Sequence, residues 1–115
     1  MGGPAEARAG LLAGVRVIES ALLGPGALAM HLADLGADVI KVEPPGEGDY
    51  VRRIAWPIAD GISILHWHIN RGKRRLALDL RRPEGVATYL ELVAVSDAVV
   101  EAMRPGALAR RGLTW

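Results

Sequence analysis

"GVRVIESALLGPGALAMHLADLGADVIKVE", residues 14–43, decides the fold. Its first part, "GVRVIES", is a short β-branched run that fits a strand. "GPG" at 24–26 follows, with Pro25 placed to open a helix. Leu28, Leu32 and Leu35 then recur at helical spacing beside Ala29, Ala33 and Gly36, while His31 and Asp34 fall on the other face. Gly36 is suited to the left-handed stop of that helix. "DVIKVE", residues 38–43, is a second strand, ended by Pro44-Pro45-Gly46. Strand, helix and strand in this compass predict a parallel pair joined by a crossover helix.

The rest extends the pattern. Residues 46–69 read as an excursion with a helical turn, and "ISILHWHI" within it favours a short helix over a strand. "RRLALDL", residues 74–80, is a third strand, and Pro83-Glu84 opens a helix with Val86, Leu90 and Val93 on one face. "DAVVEAM", residues 97–103, is a fourth strand. Pro105 to Arg111 predicts a short helix, with Arg110 and Arg111 near its negative end and Gly112 after it. The fold class is therefore α/β, a mainly parallel sheet flanked by helices. The near-continuous apolar strands agree, because such sheets are covered on both faces. No repeat or linker divides residues 11–115, and residues 1–10 read as a flexible leader.

Composition narrows the chemistry. The 115 residues carry 14 cations and 13 acids, so bulk charge does not argue for nucleic acid or membrane. The charge is uneven: residues 1–69 hold five cations and eight acids, and residues 70–115 nine and five. Cysteine is absent, which excludes thiolate catalysis and cysteine-ligated metals. No apolar run is long enough for a bilayer, and a cytoplasmic setting is the expectation. Phe is absent too, so the core must be built from small aliphatics.

"NRGKRRLALDLRR", residues 70–82, holds six of the cations. The third strand splits this run, leaving Asn70–Arg75 at its amino end and Arg81–Arg82 at its carboxyl end. Ligands of open α/β sheets collect beyond the carboxyl ends of the strands. Arginine holds phosphate through a bidentate fork, which makes Arg81, Arg82 and Arg104 the candidates for an anion. "GPG" matches neither common phosphate-loop pattern, and Pro25 removes a donor, so a tight turn is the simpler reading. The pair His66 and His68 lacks further ligands at metal spacing, and no metal is expected. Asp34, Asp38, Asp49, Asp60, Asp79 and Asp97 show no acid–base pairing.

In combination, "LADLGADVIKVEPPGEGD", "NRGKRRLALDLRRPEG" and "SDAVVEAMRPGALARRGLTW" closely resemble the N-terminal part of the family III CoA-transferases, the group that includes formyl-CoA transferase and α-methylacyl-CoA racemase. The resemblance covers residues 11–115. It implies a Rossmann-like domain that is part of a larger, interlocked homodimer. It also implies transfer of CoA from an acyl-CoA to a carboxylate through an aspartyl acyl-enzyme. That aspartate matches none in this chain and is expected beyond Trp115, so the chain reads as an N-terminal fragment, inactive alone. The alternatives are a fragment of a racemase and a non-catalytic nucleotide-binding or interaction domain.

The resemblance also implies CoA contacts. A pair after the first strand falls on Leu22 and Leu23. The family's "LD-x-K" segment matches Leu78, Asp79, Leu80 and Arg81, and its "ENF-x-PG" segment puts Ala102, Met103 and Arg104 at CoA-contacting positions. Arg110 matches an arginine of the following helix. Ala102 replaces the usual Asn, Met103 the usual Phe, and Pro44 stands where some members have arginine. Charge-assisted contacts from Arg81, Arg104 and Arg110 would give ~1.5–3 kcal/mol each. Association costs an estimated ~4–15 kcal/mol, so tight binding also needs walls for adenine and pantetheine.

Overall fold

A computed structural model describes residues 9–54 and 57–114. Most of the expected leader, residues 1–10, lies outside the described residues. Four strands form one sheet: β1 (Arg16–Ser20), β2 (Asp38–Glu43), β5 (Arg74–Ala77) and β6 (Ala98–Glu101). Their order is β5-β2-β1-β6, and every pairing is parallel. The chain moves outward from β1 to β2 and β5, then returns to lay β6 on the free side of β1. The order thus reverses between β1 and β6. The two-stranded ribbon β3 (Ile58–Ala59) and β4 (Ile62–Ser63) and the helix α2 (Ile64–Ile69) lie between β2 and β5 in the chain.

Alternation along the strands builds two cores. Val17 and Val39 face α1 (Leu23–Asp34) and pack with Ala29, Ala33 and Ala37. Small side chains let this helix sit close to the sheet in a chain without Phe. Ile18, Ile40 and Val42 face the other way, where α3 (Pro83–Ala94) brings Tyr89 and the C-terminal stretch brings Leu108 and Leu113. Tyr89 is fully buried, and Ser20 Oγ donates to its hydroxyl at 3.1 Å.

Several expected boundaries move. α1 begins at Leu23, so Pro25 is its third residue rather than its first. The missing N–H still costs nothing there, because the first N–H groups of a helix have no intrahelical acceptor. β5 stops at Ala77 instead of running to residue 80. Leu78 N still donates to Glu43 O at 2.8 Å, but the next residue on β2 is Pro44, which has no N–H to continue the ladder. β6 likewise ends at Glu101 rather than residue 103. The expected helix at 105–111 is a turn followed by a single 3-10 turn, Ala109–Arg111, closed by Gly112 at φ 79°. The excursion contains a 3-10 turn, Tyr50–Arg52, and a hairpin not expected from the sequence. Asp60 and Gly61 make the hairpin turn at φ 50° and 73°, the left-handed geometry that an Asp-Gly pair favours. "ISILHWHI" contains the expected short helix, capped by Ser63 Oγ, which accepts from Leu65 N and His66 N.

Candidate functional site at the carboxyl edge of the sheet

The reversal of strand order places the candidate crevice where β1 and β6 end side by side. Ser20 and Glu101 are register partners, so the segments Leu22–Leu23 and Ala102–Arg104 leave the sheet next to one another. Leu22 is extended at φ −134°, and Leu23 is held at φ 51°, a left-handed conformation that costs a non-glycine residue about 1–3 kcal/mol. Glu101 Oε2 accepts from Met103 N at 3.0 Å and tightens the exit from β6. A depression of about 280 Å³ opens here, walled by Glu101, Met103, Arg104 and Leu108.

The C-terminal stretch then crosses to the far end of the same edge. Leu108 and Leu113 join the core cluster that holds Leu80. As a result Arg110 and Arg111 line one depression of about 410 Å³ with Leu80, Arg81 and Arg82. Arg81 and Arg110 come from segments far apart in sequence, and the fold brings them to one surface. Leu80 is 8% exposed and its side chain belongs to the core. Leu78 and Asp79 line a neighbouring depression with Arg82 and Gly85. Asp79 accepts from the Arg81 guanidinium at 3.0 Å, and those hydrogen bonds hold its carboxyl below the ordinary value. Leu22, Leu23 and Ala102 line none of these three depressions; they stand at the β1–β6 exit.

The amino end of β5 is different in kind. Each cation of "NRGKRR" is paired with an acid on another element. Arg71 Nη2 meets Asp34 Oδ2 at 2.7 Å, Lys73 Nζ meets Glu19 Oε2 at 2.7 Å, Arg74 Nη2 meets Asp38 Oδ2 at 2.7 Å, and Arg75 Nε meets Glu43 Oε1 at 3.4 Å. One of these pairs, Lys73–Glu19, joins a buried network. Glu19, Lys41, Asp49 and Lys73 have side chains no more than 4% exposed. Lys41 Nζ lies 3.1 Å from both Glu19 Oε1 and Asp49 Oδ2. Burial pushes the Lys73 ammonium down, and its contact with Glu19 opposes that push. Beside it, burial pushes the Glu43 carboxyl up, but hydrogen bonds from Arg52 and the Asp49 amide, with the Arg52 and Arg75 charges, bring it below its ordinary value. Sequence reasoning missed Glu19 and Lys41 as an interior pair. The available signal was a charge at an inward position of each of two otherwise apolar strands.

The aspartates are engaged elsewhere. Asp34, Asp38, Asp49 and Asp79 are ion-paired, Asp97 accepts from Arg16 N at 2.8 Å, and Asp60 occupies the hairpin turn. His66 is buried and bonded to Asn70, whereas His68 is exposed. Among the described residues no group of three His, Cys, Asp or Glu could hold a metal ion. Among them, too, no helix is long and apolar enough to cross a membrane.

Known proteins share this arrangement. The chain is 43% identical over 105 residues to the succinyl-CoA–L-malate CoA-transferase beta subunit of Chloroflexus aurantiacus, covering 90% of this chain and 26% of that protein. It is 47% identical over 112 residues to the succinate–glutarate CoA-transferase of Agrobacterium fabrum, covering 90% and 28%. A CAIB/BAIF family protein from Brucella suis superimposes with a TM-score of 0.81 at 39% identity, over 92% of this chain and 29% of that one. The chain therefore spans about a quarter of the length of the curated relatives it matches. The model of CoA-transferase family III matches residues 12–115, a span that takes in every strand of the sheet and every candidate contact, and the chain belongs to that family.

Proposed function

We propose that residues 11–115 form the CoA-binding N-terminal part of a CoA-transferase, with CoA lying along the carboxyl edge of the sheet. The observation that carries this reading is the meeting of Arg81 and Arg110 at one depression. Arg82 and Arg111 line it as well, giving four guanidinium groups for the phosphates of the nucleotide end. Exposed Leu23 and partly buried Met103 offer apolar surface at the β1–β6 exit for the pantetheine arm. Leu22, Leu78, Asp79, Leu80, Ala102 and Arg104 complete the contacts, those of Leu80 being made through its backbone.

In the transfer reaction an enzyme carboxylate attacks the thioester carbonyl, giving a mixed anhydride and CoA thiolate. The thiolate attacks the enzyme-side carbonyl, and the donor acid leaves as a carboxylate. The acceptor carboxylate then attacks this enzyme thioester, and the thiolate it releases takes the acceptor's acyl group from the new anhydride, returning the enzyme carboxylate. The aspartates of this chain are engaged in ion pairs, in a bond from the Arg16 amide and in a hairpin turn, and in line with the family likeness the nucleophile is read as lying outside this unit. The relatives named above are CoA-transferases acting with succinyl-CoA or succinate, which favours transfer over racemisation and makes succinyl-CoA the first donor to test.

Amide chemical shifts recorded during titration with CoA test the reading. Changes are expected at Leu22–Leu23, Leu78–Arg81 and Ala102–Arg104. Changes confined to Asn70–Arg75, or none, would contradict it. Incubating the chain with succinyl-CoA and glutarate is expected to give no glutaryl-CoA by mass spectrometry; formation of that product would show that a nucleophile is present here.

A further inference from the structure

Two buried ammonium groups converge on the turn between β1 and α1. Lys41 Nζ donates to Ala21 O at 2.8 Å and lies 3.1 Å from Glu19 Oε1 and from Asp49 Oδ2. Lys73 Nζ donates to Gly26 O at 2.8 Å and to Asn70 Oδ1 at 2.9 Å, and lies 2.7 Å from Glu19 Oε2. Each lysine thus donates to two oxygens and stands in ion-pair contact with a third, Asp49 Oδ2 for Lys41 and Glu19 Oε2 for Lys73. One of those oxygens is a backbone carbonyl, and the two carbonyls bracket residues 22–25. A single carboxylate, Glu19, joins the two lysines from the strand beneath.

This cluster is charge-balanced, with two lysines against Glu19 and Asp49. A closed buried cluster of this kind adds little net stability over an apolar replacement of similar volume, because desolvation offsets its Coulomb gain. Its distinctive effect is geometric. The turn it holds has no side-chain cap at Leu22, contains Pro25 without an N–H, and keeps Leu23 at φ 51°. Gly26 packs directly on the cluster: a Cβ there would stand in ordinary contact, 3.4 Å from Glu19 Oε1 and 4.0 Å from Lys73 Nζ.

We propose that Glu19, Lys41 and Lys73 are positioning residues that clamp both ends of the Leu22–Pro25 turn in the shape that receives the acyl-CoA thioester arm. This assignment rests on the CoA-binding reading above for its ligand, but not for the clamp itself. It also gives the amino half of "NRGKRR" a structural role, since Lys73 acts on the carboxyl edge of β1 from the opposite end of β5.

A charge-balanced replacement tests the clamp: Glu19→Leu with Lys41→Met, Lys73→Met and Asp49→Asn. The Asn keeps an acceptor for Val51 N, which now bonds Asp49 Oδ1 at 2.8 Å. A milder pair, Glu19→Gln with Lys73→Met, releases the Gly26 carbonyl while Lys41 keeps the Ala21 carbonyl, and serves if the fourfold variant does not fold. Hydrogen exchange is read first. Amides of Leu23, Gly24, Gly26 and Ala27 are expected to exchange at least tenfold faster, with those of Val39 to Val42 unchanged. CoA titration is read second, and affinity is expected to fall at least tenfold. Unchanged exchange at those four amides would overturn the clamp whatever CoA does. Faster exchange with undiminished CoA affinity would overturn its role in binding. If the unaltered chain shows no CoA binding, the ligand reading fails and the exchange result alone decides the clamp.

Discussion

Arg74 and Asp38 form a two-point ion pair across neighbouring parallel strands: Nε donates to Oδ1 at 2.8 Å and Nη2 to Oδ2 at 2.7 Å. Arg16 reaches the same carboxylate from β1 at 3.0 Å. One acid on β2 therefore ties the strands on either side of it, at the edge of the sheet opposite the candidate crevice. The most basic stretch of the chain spends its amino half on pairs with other elements, whereas Arg81 and Arg82 in its carboxyl half pair with the adjacent Asp79 and are more exposed than Arg71 and Arg74.

The exposed pairs should matter little in either respect. The Arg71 and Arg74 side chains are 44% and 50% exposed, so solvent screens both pairs. Arg71→Ala and Arg74→Ala are each expected to cost about 0–1 kcal/mol in urea denaturation and to leave CoA affinity unchanged. A loss of CoA binding in either variant would place the anion site at the wrong end of β5.

Tyr89→Phe removes the partner of Ser20 inside the core. The Ser20 hydroxyl, 69 residues away in sequence, would be left without its bond in a buried site. A loss of about 1–3 kcal/mol is expected from denaturant unfolding. Ser20→Ala combined with Tyr89→Phe should cost less than the two single changes added together, as a double-mutant cycle would show.

Gly85→Ala tests the packing of α3 beneath the ligand edge. A Cβ at Gly85 would collide with the backbone carbonyl of Asp79. Because that contact is backbone, either the helix or the Leu78–Arg81 segment must move. Overpacking of this kind costs about 1–3 kcal/mol, and CoA affinity should fall with it. Thermal melting and calorimetric titration on the same sample separate the two effects.

Acid should weaken the fold through Asp38 and Glu43. Burial raises both carboxyls, but the hydrogen bonds and charges of Arg74 and Arg16 on Asp38, and of Arg52 and Arg75 on Glu43, leave them below their ordinary values of 3.8 and 4.5. A folded-state pKa below the unfolded one contributes stability that is full above the unfolded value and lost as pH falls through the folded one. Urea midpoints are expected to hold from about pH 7 to 5 and to drop below about 4.5. Arg52→Met should lower the midpoint at neutral pH and make that drop shallower, because Glu43 then loses the largest interaction that depresses it.

The fold is legible in the sequence where period and punctuation agree. In residues 14–43 the apolar spacing changes from strand to helix and back between Gly and Pro markers, and the structure follows it closely. The hairpin at Ile58–Ser63 escapes such a reading because its strands have two residues each and carry no alternation; the Asp60-Gly61 pair is its only mark. β5 is shorter than its apolar run, which continues through Leu80, because Pro44 on the neighbouring strand ends the ladder. The candidate arginines at 81 and 110 can be picked by residue type and family likeness, but their shared depression depends on the path of residues 104–113. The interior network is least legible. Lys73 and Glu19 meet only through the β5-β2-β1 order, and a run of cations reads the same whether solvated or paired.

Calorimetric titration of the chain with CoA, beside the double variant Arg81→Ala with Arg110→Ala, asks most directly whether the carboxyl edge of the sheet binds CoA. Saturable binding to the unaltered chain is expected, with at least a tenfold weaker Kd in the variant, which corresponds to about 1.4 kcal/mol or more, and an unchanged melting temperature. Equal affinities in the two proteins, or no binding to the unaltered chain, would contradict CoA binding at this edge.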